Sequence, residues 1–396
     1  MKKLFVLLVL SLTLAGCNYF NATESPIEPV PVASAMEKEY KTEAEKKPIK
    51  IETVALEKPL VTRAKLVAIG DVLLHQSVYI DAETPDGVYN FSPMFEKVKP
   101  FIESADIAVA NQETTIGGVE LGLSGYPMFN SPYEIADALK ETGIDLVTIA
   151  NNHSLDKGET GILNAIEHWD SIGMPYTGAF KSEEDREEIR TVTKNGIHFS
   201  FLSYTYGTNG LPVPADKLYL VNLIDLDLIK QDVAAARMVS DVVVVSMHWG
   251  NEYENLPNQT QIDLANELSG MGVDIIIGHH PHVLQPMDWI ERGDGSRTFV
   301  MYSLGNFLSA QEGLKRLTGG IGGVEVTKTV HHGQSVIKLS NPSFMPTYGY
   351  YKNWRDFDVI PMHQLDDTFL PNYQAHYEST REHLLEFTDD ITFTES

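Results

Sequence analysis

The stretch VDIIIGHHPH, residues 273–282, joins an apolar, β-branched run to three histidines in four consecutive positions. Val273 to Gly278 reads as a short buried strand ended by glycine. Before it, QTQIDLANELSGMG (259–272) carries Ile262, Leu264, Ala265 and Leu268 at roughly helical spacing, with glycines closing the segment. The histidines therefore stand just past the C-terminal end of a strand that follows a helix. In open α/β sheets that edge is where binding sites are built. A chance cluster on a surface loop is one reading; a metal site is the other, since neutral imidazole is the commonest metal ligand.

Outward from this stretch the same alternation recurs. AKLVAIGD (64–71), IAVANQE (107–113), DLVTIANNH (145–153), GIHFSFLSYTYG (196–207), VVVVSMHWG (242–250) and TFVMYSLGNF (298–307) read as strands. FSPMFEKVKPFIESAD (91–106), PYEIADALKETG (132–143), GETGILNAIEHWDSIG (158–173) and LIKQDVAAARMVSD (228–241) read as helices. Alternation at this spacing predicts an α/β fold with much parallel sheet. GVEVTKTVHHGQSVIKLSNPSFMPTYGY (323–350) looks instead like antiparallel hairpins.

The 396 residues are 43% hydrophobic and 21% charged, an ordinary globular composition. Thirty Lys and Arg against 55 Asp and Glu give a formal net charge of -25. A nucleic-acid binder should be basic, so that class is excluded, as is adsorption to anionic lipid by charge alone. The opening MKKLFVLLVLSLTLAGC has two lysines, a short apolar run and small residues before Cys17, so residues 1–16 read as a signal peptide. Cys17, the sole cysteine, resembles the lipidated first residue of a bacterial lipoprotein; no disulfide within the chain and no thiolate metal site can form. The expected location is the extracytoplasmic face of a bacterial cell membrane, lipid-anchored. Residues 17–62, rich in Pro, Glu and Lys without apolar periodicity, read as a disordered tether. Residues 63–345 form the expected domain, and 346–396 a C-terminal extension packing on it or trailing from it.

The strand ends carry the chemistry. Asp71 follows the first, with His75 four residues on; Asn111, Gln112 and Glu113 follow the second; Asn151, Asn152 and His153 follow the third, with Asp156 nearby. His248 and Glu252 follow a later strand, then His279, His280 and His282, and finally Asn306. Singly, Asp71 could cap a helix, Asn151 or Asn152 could turn the chain, and His248 could be an ordinary buried histidine. Those readings do not explain why all fall at one edge. His331-His332, before Gly333 and without carboxylate neighbours, reads as a surface turn. Oxygen and imidazole donors without thiolate suit Mn, Fe or Zn. There are enough of them for two divalent ions, which in binuclear hydrolases lie ~3.5–4 Å apart, bridged by a carboxylate.

In order, AIGDVLLH, ANQET, ANNHSLDKGETG, SMHWGNEY, GHHPHVLQP and YSLGNF, with SYTYGTNGLPVP between them, resemble the CapA family of capsule-synthesis proteins. That family is associated with poly-γ-glutamate capsules and has a calcineurin-like metallophosphatase fold. The resemblance implies a four-layer α-β-β-α sandwich with the strand-end residues converging at one edge. It implies Asp71 at the first metal, Glu113 as the bridging carboxylate where phosphatases use Asp, and Asn152, His248, His280 and His282 as further ligands. His153, with Asp156 beside it, takes the place of the transition-state histidine. Phosphatases space the first motif Asp-x-His, whereas this chain has Asp71-Val-Leu-Leu-His75, so His75 is only an additional candidate, with Asn111, Asn151, Glu252, His279 and Asn306.

Two functions follow from this. One is a surface-anchored accessory factor in poly-γ-glutamate synthesis, export or anchoring, beside a membrane-bound polyglutamate synthase. The other is an active extracytoplasmic metallohydrolase on a phosphoester or γ-glutamyl amide, unrelated to capsule assembly. A site that merely stabilises the fold is a third reading. A polyglutamate chain is repelled by a protein of charge -25 until salt screens it beyond ~10 Å. Binding therefore needs a local positive focus, which divalent cations would supply.

Overall fold

Side-chain alternation along the strands sets the layers. In the computed structural model, which describes residues 58–395, β1 (Leu60–Leu73) buries Leu66 and Ala68 in one core and Val67 and Ile69 in another, as the two-residue period of a strand requires. Parallel to it run β2 (Ile107–Gln112), β3 (Leu146–Thr148) and β4 (Tyr176–Thr177). A second sheet takes β5 (Arg190–Lys194), β6 (Ile197–Thr205), β7 (Val242–His248), β8 (Ile275–His279), β9 (Leu284–Glu291) and β10 (Arg297–Leu304), ordered β5-β6-β7-β8-β10-β9. The chain then returns to the first sheet with β11 (Asn306–Ser309), β12 (Thr318–His331), β13 (Gln334–Lys352), β14 (Arg355–Pro361) and β15 (Thr392–Phe393). The first sheet is ordered β14-β13-β12-β1-β2-β3-β4, with β11 beside β1 and β15 beside β13.

Three cores separate four layers. Leu66, Ala68 and Val109 of the first sheet meet Val244, Ile275 and Met301 of the second. The outer face of the first sheet packs on α1 (Gln76–Ala82), α2 (Lys99–Glu103), α3 (Glu134–Glu141) and α4 (Gly158–Ile172), through Val78, Ile102, Ile135 and Ile166. The short α5 (Glu183–Glu187) precedes β5. The outer face of the second sheet packs on α6 (Leu226–Val239) and α7 (Gln259–Met271), through Val233 and Leu268. The last helix, α8 (Tyr373–Leu384), sends Leu384 into the core between the sheets. This is the α-β-β-α sandwich expected. Its buried strands read as apolar runs because both faces are covered: Val242 to Val245 are all at most 1% exposed. Each such valine contributes ~1.5–3 kcal/mol, so Val244→Asp would break the central core.

Local signals place the histidine stretch. α7 begins at a capping box, in which the Asn258 side chain accepts from Gln261 N and the Gln261 side chain accepts from Asn258 N. It ends at Gly272, whose left-handed φ of 95° glycine supplies without strain. β8 starts three residues later, which fixes where residues 279–282 emerge.

Some elements differ from the sequence reading. Residues 91–106 form a 3-10 turn, Ser92–Phe95, and the short α2, whose first turn contains Pro100, rather than one helix. β1 begins at Leu60, inside the stretch read as tether. β13 runs through residue 345, and β14 and β15 add to the first sheet, so residues 346–396 supply sheet strands. The signal segment 1–16, Cys17 and the tether up to residue 57 lie outside the described residues. Among the described residues no helix is long and apolar enough to cross a membrane.

Candidate metal centre

The strand ends meet at one edge because the strands are held in tight register there. A Cβ on Gly70 would lie 2.2 Å from the Gly305 carbonyl oxygen, so glycine lets β1 close on the β10–β11 junction, where Asp71 N donates to Gly305 O (2.8 Å). Asp71 stands in register with Asn111 on β2 and Asn306 on β11, and His248 stands opposite His279. Pro281 O accepts from Tyr253 N (2.8 Å), which ties the histidine loop to the loop after β7. His280 and His282 sit at φ 96° and 57°. Left-handed backbone in a non-glycine residue costs about 1–3 kcal/mol and concentrates at functional sites.

Asp71 is fully buried and heavily bonded. Asn111 Nδ2 donates to its Oδ1 (2.9 Å), His279 Nδ1 lies 3.0 Å from the same oxygen, and His282 Nδ1 lies 3.2 Å from Oδ2. His280 N donates to Oδ2 (3.3 Å). His282 Nδ1 also faces Asn306 Oδ1 at 3.1 Å. Across the cleft, His248 Nε2 stands 2.8 Å from Asn152 Oδ1. Between these groups is Glu113, 0% exposed, with Oε1 3.7 Å from His248 Nε2 and 3.6 Å from His282 Nε2.

Burial pushes the Asp71 carboxyl up, but hydrogen bonds and charge from His279 and His282 outweigh it and hold it well below the usual carboxylate range. Glu113 goes the other way: burial raises it, and Asp71, Glu252 and Asp156 add repulsion that His282 does not offset. Burial lowers His282, yet Glu113 and Asp71 bring it up to about 9. Burial and the neighbouring imidazoles depress His248 well below its ordinary value, and His280 to about 3. The last two imidazoles are therefore neutral near pH 7, the form that binds metals.

The donors fit divalent cations. Both Glu113 oxygens, His248 Nδ1, His279 Nε2 and His280 Nδ1 are buried without a hydrogen-bond partner. Buried polar atoms are normally paired, and each exception needs a cause such as an ion. Two sets offer ligand atoms within 4.8 Å of one another, Glu113 with His280 and His282, and Asp71 with Glu113 and His248. Glu113 belongs to both. Two ligand atoms ~2.1 Å from one tetrahedral ion stand ~3.4 Å apart, close to the spacings Glu113 makes with His248 and His282.

Beside this cluster His153 Nδ1 pairs with Asp156 Oδ2 (2.7 Å), and Phe129 N donates to the same oxygen (2.7 Å). The Phe129 ring stands edge-on to His153, 4.6 Å between centroids. A carboxylate at Nδ1 fixes the tautomer and aim of the ring.

The other candidates divide by place. Asn111 and Asn306 contact Asp71 and His282, and His279 hydrogen-bonds Asp71 directly. Asn151 is used by the chain: its Nδ2 donates to Gln112 O (3.0 Å) and its Oδ1 accepts from His153 N (2.9 Å). His75 Nδ1 faces Leu73 O (3.2 Å) and Ala310 N (3.4 Å), away from the two ligand sets. Glu252 is exposed at the rim. His331 and His332 sit at the exposed β12–β13 turn, His332 and Gly333 both at positive φ, so the surface-turn reading holds. The sequence reading assigned no role to Tyr206, Asn209 or Tyr253. Tyr206 lies 4.6 Å from the His280 ring, Asn209 Oδ1 accepts from Asn152 Nδ2 (3.4 Å), and Tyr253 lies 6.2 Å from the His282 ring. Tyr206 and Asn209 fall inside SYTYGTNGLPVP, the one signal that could have found them.

Fold and site define a two-sheet α/β protein whose parallel strands converge on a buried carboxylate–imidazole cluster. Residues 65–311 match the family described as "Bacterial capsule synthesis protein PGA_cap", and the chain belongs to that family. Similar proteins include the "Capsule biosynthesis protein CapA" of Bacillus anthracis, 27% identical over 62% of this chain and 60% of that one. The "PGA biosynthesis protein CapA" of Bacillus subtilis (strain 168) is 30% identical over 61% of this chain and 62% of that one. The chain thus matches about three fifths of the length of these relatives. A solved structure described as a 5'-nucleotidase, from Staphylococcus aureus, aligns at a TM-score of 0.43 and 13% identity over 81% of this chain and 58% of that one.

Proposed function

We propose that this chain serves poly-γ-glutamate capsule synthesis, export or anchoring at the outer face of a bacterial membrane, held there by a lipid on Cys17. It works beside a membrane-bound synthase through a centre for two divalent cations of the Mn, Fe or Zn type. The observation that carries the cation centre is Glu113, fully buried, unpartnered at both oxygens and shared by two ligand sets. The capsule role draws on family membership and on the printed names of the two Bacillus relatives. Glu113 would be shared between the ions, with Asp71, Asn152, His248, His280 and His282 as the further ligands. His279, Asn111 and Asn306 orient Asp71 and His282 through the hydrogen bonds given above, as the outer partners of ligands do.

The His153–Asp156 pair favours a second reading, hydrolysis of a phosphoester or γ-glutamyl amide. Cations at the centre would supply Lewis-acid polarisation of a phosphoryl or carbonyl oxygen. Asp156 holds the His153 proton at Nδ1 and the ring edge-on to Phe129. No described protein group hydrogen-bonds Nε2, so a ring protonated at both nitrogens would keep Nδ1–H on Asp156 and give its Nε2 proton to a leaving group, ending as the neutral Nδ1–H tautomer.

Metal analysis of the purified protein, reconstituted with Mn, Fe or Zn, tests the centre. Wild type and His331→Ala should hold two ions per chain, while Glu113→Gln, His280→Ala and His282→Ala lose them with folding intact. Equal metal in all five proteins, or none in wild type, overturns the centre. A turnover screen on phosphoesters and γ-glutamyl peptides then separates the two readings.

A further inference from the structure

Among the described arginines Arg316 and Arg355 have no carboxylate partner, and the Arg355 guanidinium donates to Ile80 O (2.6 Å), which leaves Arg316. In a chain of charge -25, Arg186, Arg190, Arg237 and Arg292 are each paired with a carboxylate. Among the described residues no carboxylate comes within 4.0 Å of the Arg316 guanidinium. It lies instead over the ring of Tyr253, Cζ 5.0 Å from the centroid, and that ring in turn lies 6.2 Å from His282. A second path ties the same residue to the centre: Arg316 O accepts from Asn306 Nδ2 (2.9 Å), and Asn306 Oδ1 faces His282 Nδ1. Arg316 is half-buried and Tyr253 is 44% exposed, so the pair forms part of the rim. From Tyr253 a cavity of about 1180 Å³ runs to α8, lined also by Lys315, Leu256, Val283, His376 and His383. Glu254, Glu382 and Glu386 line it against the one lysine, Glu386 lying 2.7 Å from His383 Nδ1, and Arg316 is not in its lining, so the cavity does not favour an anionic chain and the cationic point at the rim is Arg316.

A guanidinium without a carboxylate partner, held against a tyrosine, can present its planar fork to a carboxylate or phosphate. We propose that Arg316, backed by Tyr253, anchors a second anionic group of the substrate one ring outside the metal centre. This rests on the polyglutamate reading and adds to it the residue that recognises the repeat. An acidic protein can then hold a polyanion at two fixed cationic points, the centre and Arg316, while the rest of its surface repels it.

The test is equilibrium binding of γ-linked hexaglutamate, of its fully amidated counterpart and of phenyl phosphate to wild type, Arg316→Gln and Arg316→Lys, with metal content and thermal unfolding measured in parallel. Arg316→Gln should weaken hexaglutamate about 10- to 100-fold, the range for a lost charge-assisted hydrogen bond, with metal content unchanged. Arg316→Lys should fall between, and the amidated chain should not distinguish the proteins. If the glutamine variant does not fold, the lysine variant carries the comparison. Equal hexaglutamate affinity in wild type and the folded variant overturns the inference and leaves the polyglutamate reading standing. Binding of phenyl phosphate but not hexaglutamate, with the same dependence on Arg316, keeps the anchor and overturns the polyglutamate reading. Binding of neither probe by metal-loaded wild type overturns both.

Discussion

Glu113→Gln should reverse its effect on stability according to whether cations are present. Glu113 is completely buried, neither oxygen has a partner, and Asp71, Glu252 and Asp156 repel its charge. A buried polar group left unpaired costs about 1–3 kcal/mol. Glutamine has nearly the same shape and no charge, so in EDTA the variant should be more stable than wild type by up to about 1–3 kcal/mol. At the ~2 °C per kcal/mol of large domains, that is ~2–6 °C in Tm. The sign with pH follows from the raised carboxyl. Its contribution is whole below the ordinary value of 4.5 and lost as pH climbs through the folded value. The advantage of the variant in EDTA should therefore shrink as pH falls toward 4.5. With Mn at about 1,000 times its Kd, wild type should gain ~4 kcal/mol from binding, whereas the variant gains little. The assay is thermal unfolding of both proteins and of His331→Ala, in EDTA and in Mn, at pH 7 and pH 5. A variant less stable than wild type in EDTA, or a wild-type Tm indifferent to metal, would refute the reasoning.

Three other outcomes are expected. Gly278→Ala places a Cβ 2.0 Å from the Tyr302 carbonyl oxygen, forcing β8 from β10 just before His279; urea unfolding should show a loss of at least ~1–3 kcal/mol, and an unchanged midpoint would count against the packing described. His75, lowered chiefly by burial from 6.5 to about 4, stays neutral in the fold while the unfolded chain takes up a proton; stability in EDTA should be whole above 6.5 and decline toward pH 4, and His75→Gln should flatten that slope by up to ~1.4 kcal/mol per pH unit, the same slope in both proteins being the contrary result. Cys17→Ser should release the protein from the membrane fraction on cell fractionation, and equally firm retention would end the lipid-anchor proposal.

The parallel strands and the edge that carries the site were legible because β-branched runs such as Val242–Val245 have few alternatives to a buried strand, and each ends in a polar side chain; the four-layer order came with the family resemblance. The β12–β13 pair was legible as an antiparallel hairpin, and β14 and β15, in the stretch read as an extension, were not. β13 contains Pro342, which a central strand normally excludes, and it is accommodated where the register slips between Gly323 and Glu325 on β12. β9 follows the histidines without a helix, so the alternation that located the other strands gave no warning of it. Among site residues, donors at strand ends were visible because one carboxylate, amide or imidazole in such a place is informative. Tyr206, Tyr253 and Arg316 were not, since their parts come from loops folding over the edge, and stacking at 4.6–6.2 Å leaves no spacing in the chain.

The case against a cluster that does without a cation lies in how the unfavourable features are distributed. His280 and His282 hold left-handed backbone, Glu113 is unpartnered, and Asp71 is buried charged, all at one strand edge. Glycine at 280 and 282 would relieve the backbone, and an apolar side chain at 113 would remove a buried carboxyl that no protein group pairs. A site with only a packing role would gain from each of these changes. A bound cation would reverse these signs together, since Glu113 and the imidazoles of the strained loop would then have a partner. The inversion expected for Glu113→Gln between EDTA and Mn therefore tests the whole arrangement, because no cluster that works without a bound cation gives opposite signs in the two buffers.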